Sequence, residues 1–485
     1  METNVIFNKS KKDFKKYSLP KSNTPSIPLS NHINDNFIRK VYANLPQISE
    51  PQVVRHFSNL SIKNHHVDKD FYPLGSCTMK YNPKINDYIA MQAEFSGIHP
   101  LQNEEFIQGT LQVYYELGEL LCEISGMSAI TLQPSAGSQG ELVGLLLMKK
   151  YHKSNNNKKK KYIIIPKTAH GTNPASVIMA GYSIKQVESD QRGRVSLSHL
   201  KELVDDETAG MMLTQPNTLG LFEDDIEEIC SLVHSFDGLM YMDGANLNAL
   251  VGMVNPQKMG FDITHINLHK TFSTPHGGGG PGAGPVAVNS KLKDFLPTPV
   301  IDYKDNKYYF KNLTHSIGKV HTFFGNFGVL LRAYVYILSL GKEGLREIAQ
   351  HAVLNANYLK TILSTSYDIP FNDGTMHEFV ISALKQKKKG LKALDIAKSL
   401  LDYGYHPPTI YFPTNVPEAI MIEPTETETK ETLESFAEKM IYINDNILDK
   451  GDYFKEAPYN TPVRKLNEAK ANRELDVKWD FDNEL

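Results

Sequence analysis

Two side chains able to do chemistry together stand beyond two short apolar runs. Asp243 follows Leu239-Met-Tyr-Met242, and twenty-seven residues later Lys270 follows Ile263-Thr-His-Ile-Asn-Leu-His269. A lysine amine condenses with an aldehyde where its surroundings favour the neutral form. A carboxylate beside a ring nitrogen keeps that nitrogen protonated. An amine and an acid at two strand ends therefore supply what pyridoxal phosphate (PLP) requires: an imine donor and a partner for the pyridinium nitrogen. Six glycines within residues 277–284 let backbone approach something bulky, or turn where no side chain would permit it.

Each feature has a plainer explanation. A lone lysine ahead of glycines is usually a solvated loop residue. Gly277, Gly279 and Gly282 fit G-x-G-x-x-G, but a dinucleotide site needs a helix to open there. The next residues, Pro285-Val-Ala-Val288, read as a strand, so the dinucleotide reading fails. The amine–acid reading depends on the elements that would bring the pair together.

The 485 residues are enough for two or three domains with sizeable cores. Apolar content of 41%, charged content of 22% and a net charge of −3 describe a soluble globular protein with neither nucleic acid nor membrane as a general partner. Cys77, Cys122 and Cys230 form no metal or redox spacing, which fits a reducing compartment. Met1–Ser10 lacks the apolar core of a signal peptide, and the run 328–338 is interrupted by Arg332, so a cytoplasmic protein is expected.

Residues 1 to about 60, rich in Lys, Asn, Ser and Pro, read as an extended arm that wraps a neighbour. Phe71-Tyr-Pro-Leu-Gly-Ser-Cys-Thr-Met-Lys80 has the punctuation of an ordered loop, either a structural turn or a loop presented to a site. Residues 109–125 have helical apolar spacing. Pro134-Ser-Ala-Gly-Ser-Gln-Gly-Glu141 opens a helix through Met148, where free N–H groups and the helix dipole suit a phosphate as well as an ordinary cap. Strands are expected at 162–165, 183–187, 211–214, 239–242, 263–268 and 286–288, with a helix at 226–236 and a turn into a helix at His170-Gly-Thr-Asn-Pro174. Apolar strands separated by helices imply a mostly parallel sheet covered on both faces, with ligands at the carboxyl ends of its strands. His170, Asn217, Asp243 and Lys270 each follow an expected strand and should converge. A linking helix is expected over 328–340, then strands at 378–382 and 419–422 with helices at 391–403 and 429–448. The domain plan is an arm and loop segment (1–100), a large α/β domain (101–345), a smaller α+β domain (346–450) and a tail (451–485).

The loop 71–80, the Pro134–Glu141 segment, Ala169-His-Gly-Thr-Asn-Pro-Ala175, Met242-Asp-Gly-Ala-Asn246 and the 268–284 stretch together resemble the P-protein family of the glycine cleavage system, within it the separately encoded second subunits. The resemblance spans about residues 30 to 465 and implies a PLP-dependent transferase of fold type I. It implies Lys270 as the amine that carries the cofactor, Asp243 on the ring nitrogen and Ala245 against the ring. His170 would stack on the opposite face, Asn217 would reach the phenolic oxygen, and Ser138, Gln139 and His269 would take the phosphate. Asn267, where many such enzymes carry a hydroxyl residue, would either touch the phosphate or support a residue that does. Arg332, Arg55 and several histidines are candidates for the glycine carboxylate.

The implied reaction is decarboxylation of glycine with transfer of the aminomethyl group to the lipoyl arm of H-protein. The implied partners are H-protein and P-protein subunit 1, in a heterotetramer of two copies each. Two other readings fit the same residues: another fold-type-I decarboxylase or desulfurase, for which Cys77 is the candidate thiol, and a non-catalytic partner subunit, against which Lys270 and Asp243 both argue.

Overall fold

A computed structural model of the chain describes residues 5–11, 20, 22–41, 43, 45–277 and 282–479. Twelve strands are found among them: β1 Ala129–Thr131, β2 Tyr162–Pro166, β3 Ser183–Val187, β4 Thr208–Thr214, β5 Leu239–Gly244, β6 Ile263–Ile266, β7 Val286–Val288, β8 Val300–Lys304, β9 Lys307–Lys311, β10 Phe379–Ser382, β11 Thr409–Ile410 and β12 Ala419–Ile422.

The first seven form one sheet in the order β1-β7-β6-β5-β4-β2-β3. Strands β6, β5, β4, β2 and β3 run parallel, whereas β7 runs antiparallel to both β1 and β6. The central strands are buried throughout and largely apolar because both faces are covered. Their side chains alternate between two cores. Met211, Leu213, Met240 and Met242 face the helices Gln108–Ser125, Ile226–Ser235 and the first part of Phe327–Leu363. Met212, Leu239 and Tyr241 face Gly137–Ser154 and Thr172–Met179. Each buried Leu, Ile or Met contributes roughly 1.5–3 kcal/mol.

The linking helix ends as expected after Leu340, at a left-handed Gly341 (φ 63°), beyond which a second helix continues to Leu363. By length and apolarity the stretch Thr322–Leu363 is the one among the described residues that could cross a bilayer. Its residues Val329, Leu330, Ala333 and Ile337 sit in the core of the large sheet domain, and Ala356, Leu359 and Leu363 in that of the small sheet. The small sheet is antiparallel, ordered β10-β12-β11, and is covered by Ala393–Asp402 and Lys430–Asp445.

Compactness divides the chain into residues 67–459 and a second unit made of residues 1–66 and 460–485. Within that second unit Phe7 stacks on Trp479 with ring centroids 5.3 Å apart, and Lys9 meets His56 at 3.1 Å beside the Glu50–Ser61 helix.

Three local features differ from the sequence reading. Strand β6 stops at Ile266, and Lys270 sits in a helical turn, Leu268–Thr271, rather than directly at a strand end. Strand β1 and the β8–β9 hairpin were not expected. The hairpin turns at Asp305 and Asn306, both left-handed (φ 51° and 59°), as a two-residue hairpin turn of this kind requires. Gly279 lies outside the described residues; Gly282 leads into strand β7 and not into a helix, as expected.

Candidate active site

Strand β5 brings Asp243 out on the same face as Tyr241, two residues earlier, where β6 places His265 directly opposite. The carboxylate is fully buried and its oxygens are satisfied. One oxygen accepts from Asn173 Nδ2 at 3.1 Å and Thr214 Oγ1 at 3.4 Å. The other accepts from the Ala245 N–H at 3.0 Å and lies 3.3 Å from His265 Nε2. Burial pushes its pKa up, but His265, the Asn173 and Ala245 hydrogen bonds and Lys270 outweigh burial and hold it below its ordinary value. Asp243 is thus a buried anion kept ready for a cationic partner.

Lys270 and Asp243 line one cavity of about 260 Å³. Ala245, His170, Ser138, Asn267 and His269 share its walls, as do Ser76, Glu141, Thr172, Thr214, Thr218 and His265. Larger recesses of about 420 and 560 Å³ lie elsewhere, but neither has a buried carboxylate in its walls. The Lys270 amine donates to the Ser76 carbonyl at 2.8 Å, which puts the loop 71–80 at the site. The far end of that loop is anchored by Lys80, whose ammonium reaches Glu426 at 2.7 Å, Asn248 at 2.9 Å and the Thr271 carbonyl at 2.8 Å.

The rim of the cavity suits an anion. The Gly137–Ser154 helix begins there with Gly137 and Ser138, leaving its first N–H groups without intrahelical partners. Gly137 lets the Asn267 amide come close, since a Cβ there would lie 2.3 Å from the amide oxygen and force that side chain to shift. That oxygen is buried and has no hydrogen-bond partner among the described residues. Burial, His276 and Lys270 lower the pKa of His269 to about 3, so its ring is neutral. The Ala283 N–H donates to its Nδ1 at 3.4 Å, which leaves Nε2 carrying the proton. Opposite, His170 is exposed, its Nδ1 2.8 Å from Thr172 Oγ1. An amine, a buried anion, an anion-binding helix end and a neutral imidazole donor on one cavity fit the aldehyde, ring nitrogen and phosphate of PLP.

Two of the expected cofactor contacts are not brought in. Gln139 turns back: its Oε1 accepts from the Ser135 N–H at 2.7 Å and its Nε2 donates to the Val320 carbonyl at 2.8 Å. Asn217 is spent on its own turn. Its Oδ1 accepts from the Leu219 and Leu221 N–H groups, and its Nδ2 donates to Gly193 O and Glu223 Oε1. Left-handed Gly220 (φ 75°) closes that turn, and Thr218 lines the cavity in its place. Arg332 is likewise engaged elsewhere, 2.6 Å from Asp87. Arg55 lies in the Glu50–Ser61 helix of the other unit.

The residues missed from sequence are Ser76, Glu141, Thr172, Thr214, Thr218 and His265. A signal existed for His265, because a residue two before Asn267 on a strand shares its face. For Ser76, nearly two hundred residues from Lys270, there was only the loop punctuation.

Set against known proteins, residues 24–309 match the family model described as glycine cleavage system P-protein, and residues 348–461 match the one described as glycine dehydrogenase, C-terminal domain. A probable glycine dehydrogenase (decarboxylating) subunit 2 of Caldanaerobacter subterraneus subsp. tengcongensis is 52% identical over 476 residues, covering 98% of both chains. Its counterpart in Bacillus licheniformis is 51% identical over 480 residues, covering 99% of both. A crystal structure of glycine decarboxylase (P-protein) of the glycine cleavage system, in inhibitor-bound form, matches with a TM-score of 0.73 at 19% identity, over 86% of this chain and 94% of that one. Lactobacillus brevis glutamate decarboxylase matches with a TM-score of 0.66 at 15% identity, over 87% of this chain and 98% of that one. At such identities the solved structures speak for the fold alone.

Proposed function

The chain belongs to the P-protein family of the glycine cleavage system, and from that membership we propose that it is the PLP-bearing subunit that decarboxylates glycine and passes the aminomethyl group to the lipoyl arm of H-protein. Its fold is the fold-type-I architecture expected from the sequence. The observation that carries the proposal is the sharing of one cavity by Lys270 and a buried, ionised Asp243.

Bound PLP supplies an electron sink for the pair released as the glycine carboxyl leaves. The residues of the chain do the rest. Lys270, whose amine reaches the cavity, would hold the cofactor there. Asp243 keeps the ring nitrogen protonated, and its four polar neighbours hold it in place. Ala245 and His170, both in the cavity wall, would flank the ring, and His170 would help to exclude water. Ser138, the helix N–H groups and the Nε2–H of His269 take the phosphate, with Asn267 beside them. Gln139 and Asn217 act on the surrounding turns.

The family also supplies the partners. The relatives are each named as a second subunit, which supports pairing with a first; an assembly of two copies of each, lipoylated H-protein as the acceptor and a cytoplasmic location belong to the same proposal. The desulfurase reading is disfavoured by Cys77. Burial pushes its thiol to about 11 despite the opposing pull of Lys270, and a protonated thiol is a poor nucleophile.

The test is exchange of labelled bicarbonate into the carboxyl of glycine, with and without H-protein and the partner subunit. Exchange that needs both, and is lost in Lys270→Ala, is expected. A coloured, cofactor-loaded protein that gives no exchange with both partners present would overturn the proposal.

A further inference from the structure

Three fully buried polar residues of the small sheet, His377, Glu378 and Glu423, take no part in the glycine chemistry assigned to Lys270 and Asp243. Glu378 directly precedes β10 and Glu423 directly follows β12. Extending the Phe379↔Ile422 register sets the two carboxyl groups opposite each other. Two like charges facing across strands repel, more so without water.

The cluster has the spacing of a metal site, with one ligand atom from each residue within 4.8 Å of the others. Its oxygens, however, are already taken. Glu378 Oε2 accepts from the Ser76 N–H at 2.6 Å, and its Oε1 lies 3.4 Å from Asn246 Nδ2. Glu423 Oε2 accepts from the N–H groups of Cys77 at 3.0 Å and Thr78 at 2.7 Å, and its Oε1 accepts from the Thr78 hydroxyl. A metal ion would have to displace these donors, with Lys270 nearby. A proton relieves the repulsion and leaves every contact in place.

Apart from the Asn246 amide, these donors come from one short stretch of the loop 71–80. Ser76 and Thr78 are left-handed (φ 62° and 49°), a conformation that is strained at a non-glycine residue and turns successive N–H groups to one side as an anion nest. The same turn carries the Ser76 carbonyl that accepts from Lys270. Gly75 packs against β12 so closely that a Cβ would lie 2.3 Å from the Met421 side chain.

We propose that Glu378 and Glu423 are positioning residues that hold one proton between them, resident on Glu378, and that their single negative charge fixes residues 75–78 so that Ser76 presents its carbonyl to the Lys270 amine. The assignment rests on Lys270 being the cofactor-bearing amine. Burial and the neighbouring Glu423 push the Glu378 carboxyl well above its usual range. Burial also raises Glu423, but the Thr78 and Cys77 donors work against it there. His377 adds no charge: burial and Lys270 lower it to about 3, and its ring nitrogens have no partner among the described residues. Its Nε2 lies 3.9 and 3.8 Å from the two carboxylates. The groups facing the pair are therefore Lys270, His377, Cys77 and, beyond His377, Glu426.

The test uses the full chain with cofactor and partner subunit, in the variants Glu378→Ala, Glu378→Gln and Glu423→Gln. The infrared difference between wild type and Glu378→Gln should show the carbonyl band of a protonated carboxyl. Glu378→Ala should lower kcat about tenfold or more with a smaller change in KM for glycine, and Gln, which still offers an oxygen to Ser76, should restore most of the loss. Glu423→Gln should lower kcat by a similar factor and shift the pH midpoint of the lysine–cofactor absorbance. A missing carboxyl band, a Glu378→Gln as impaired as Ala, or a Glu423→Gln with wild-type kcat and midpoint would each overturn the proposal. Should Glu423→Gln not fold, Thr78→Val removes only the hydroxyl donor, and an unmoved midpoint in that variant overturns it equally. A wild-type protein that never takes on colour counts instead against Lys270 as the cofactor amine; the infrared band, measured on that same protein, still decides where the proton sits.

Discussion

His265 Nε2 lies 3.3 Å from an oxygen of Asp243, while the Nδ1 of the same ring lies 2.7 Å from the Tyr241 hydroxyl. Burial and the acids Glu141 and Asp243 push Tyr241 well above its usual pKa, so its hydroxyl keeps its proton and donates to Nδ1. Nε2 then carries the ring proton and donates to Asp243. A tyrosine two residues up the strand thereby sets which nitrogen of a histidine faces the acid.

Asp243→Asn is expected to retain PLP but to lower kcat about a hundredfold or more, because the ring nitrogen loses its anionic partner. His265→Phe leaves the Tyr241 hydroxyl buried without an acceptor, at about 1–3 kcal/mol of stability, and weakens the same support for Asp243. Urea unfolding and the visible spectrum check both. An Asp243→Asn enzyme with wild-type turnover would remove this carboxylate from the chemistry.

The Lys80–Glu426 pair is almost wholly buried, with side chains 1% and 6% exposed. Burial lowers the lysine pKa, but Glu426 and Tyr336 more than offset it, so the net shift is upward and the ammonium persists. Lys80→Met strands Glu426 in the interior and should cost about 3–5 kcal/mol, while Lys80→Met with Glu426→Leu should recover much of that. Denaturant midpoints measure it; equal losses in the single and double variants would contradict the pairing.

Burial lifts the Glu223 carboxyl from 4.5 to about 7, against the Asn217 and Val195 hydrogen bonds. A folded state that holds this proton is favoured below the unfolded pKa, and the advantage is lost as pH rises through the folded one. Between those two values the unfolded chain binds fewer protons, so stability should fall with rising pH by roughly 3 kcal/mol at most. Glu223→Gln should flatten the slope in unfolding curves taken from pH 5 to 7.5. An unchanged slope would show that Glu223 is ionised.

Burial holds the Cys77, Cys122 and Cys230 thiols at about 11, 12 and 12. Folded protein at pH 7 should therefore react with iodoacetamide more slowly than free cysteine, and should release no sulfur from cysteine as substrate. Rapid labelling of Cys77 would reopen the desulfurase reading.

The parallel strands were legible because burial on both faces leaves an unbroken apolar run, as in Tyr162-Ile-Ile-Ile165 and Leu239-Met-Tyr-Met242. Strand β1 is only three residues long and has no such run. The β8–β9 hairpin carried a signal in Asp305-Asn306 that its charged flanks concealed. At the site, position along the chain told which residues follow strands but not which side chain turns inward. Asn217 and Thr218 are adjacent; the asparagine closes the turn with its own amide, and the threonine meets the cavity. Glu378 and Glu423 could not be read at all, since only the pairing of β10 with β12 sets them side by side.

The partners of Lys270 also fix when during synthesis the site can exist. Ser76 is made 194 residues before Lys270, yet its N–H waits for an acceptor 302 residues downstream, and Thr78 for one 345 residues downstream. A ribosome that has released the whole parallel sheet has still not supplied the acids that seat the loop. Closure across such separations comes late and slowly in folding. A nascent chain ending before residue 423 would hold both the lysine and the aspartate and still lack the finished pocket, so chemistry is the last property this polypeptide acquires.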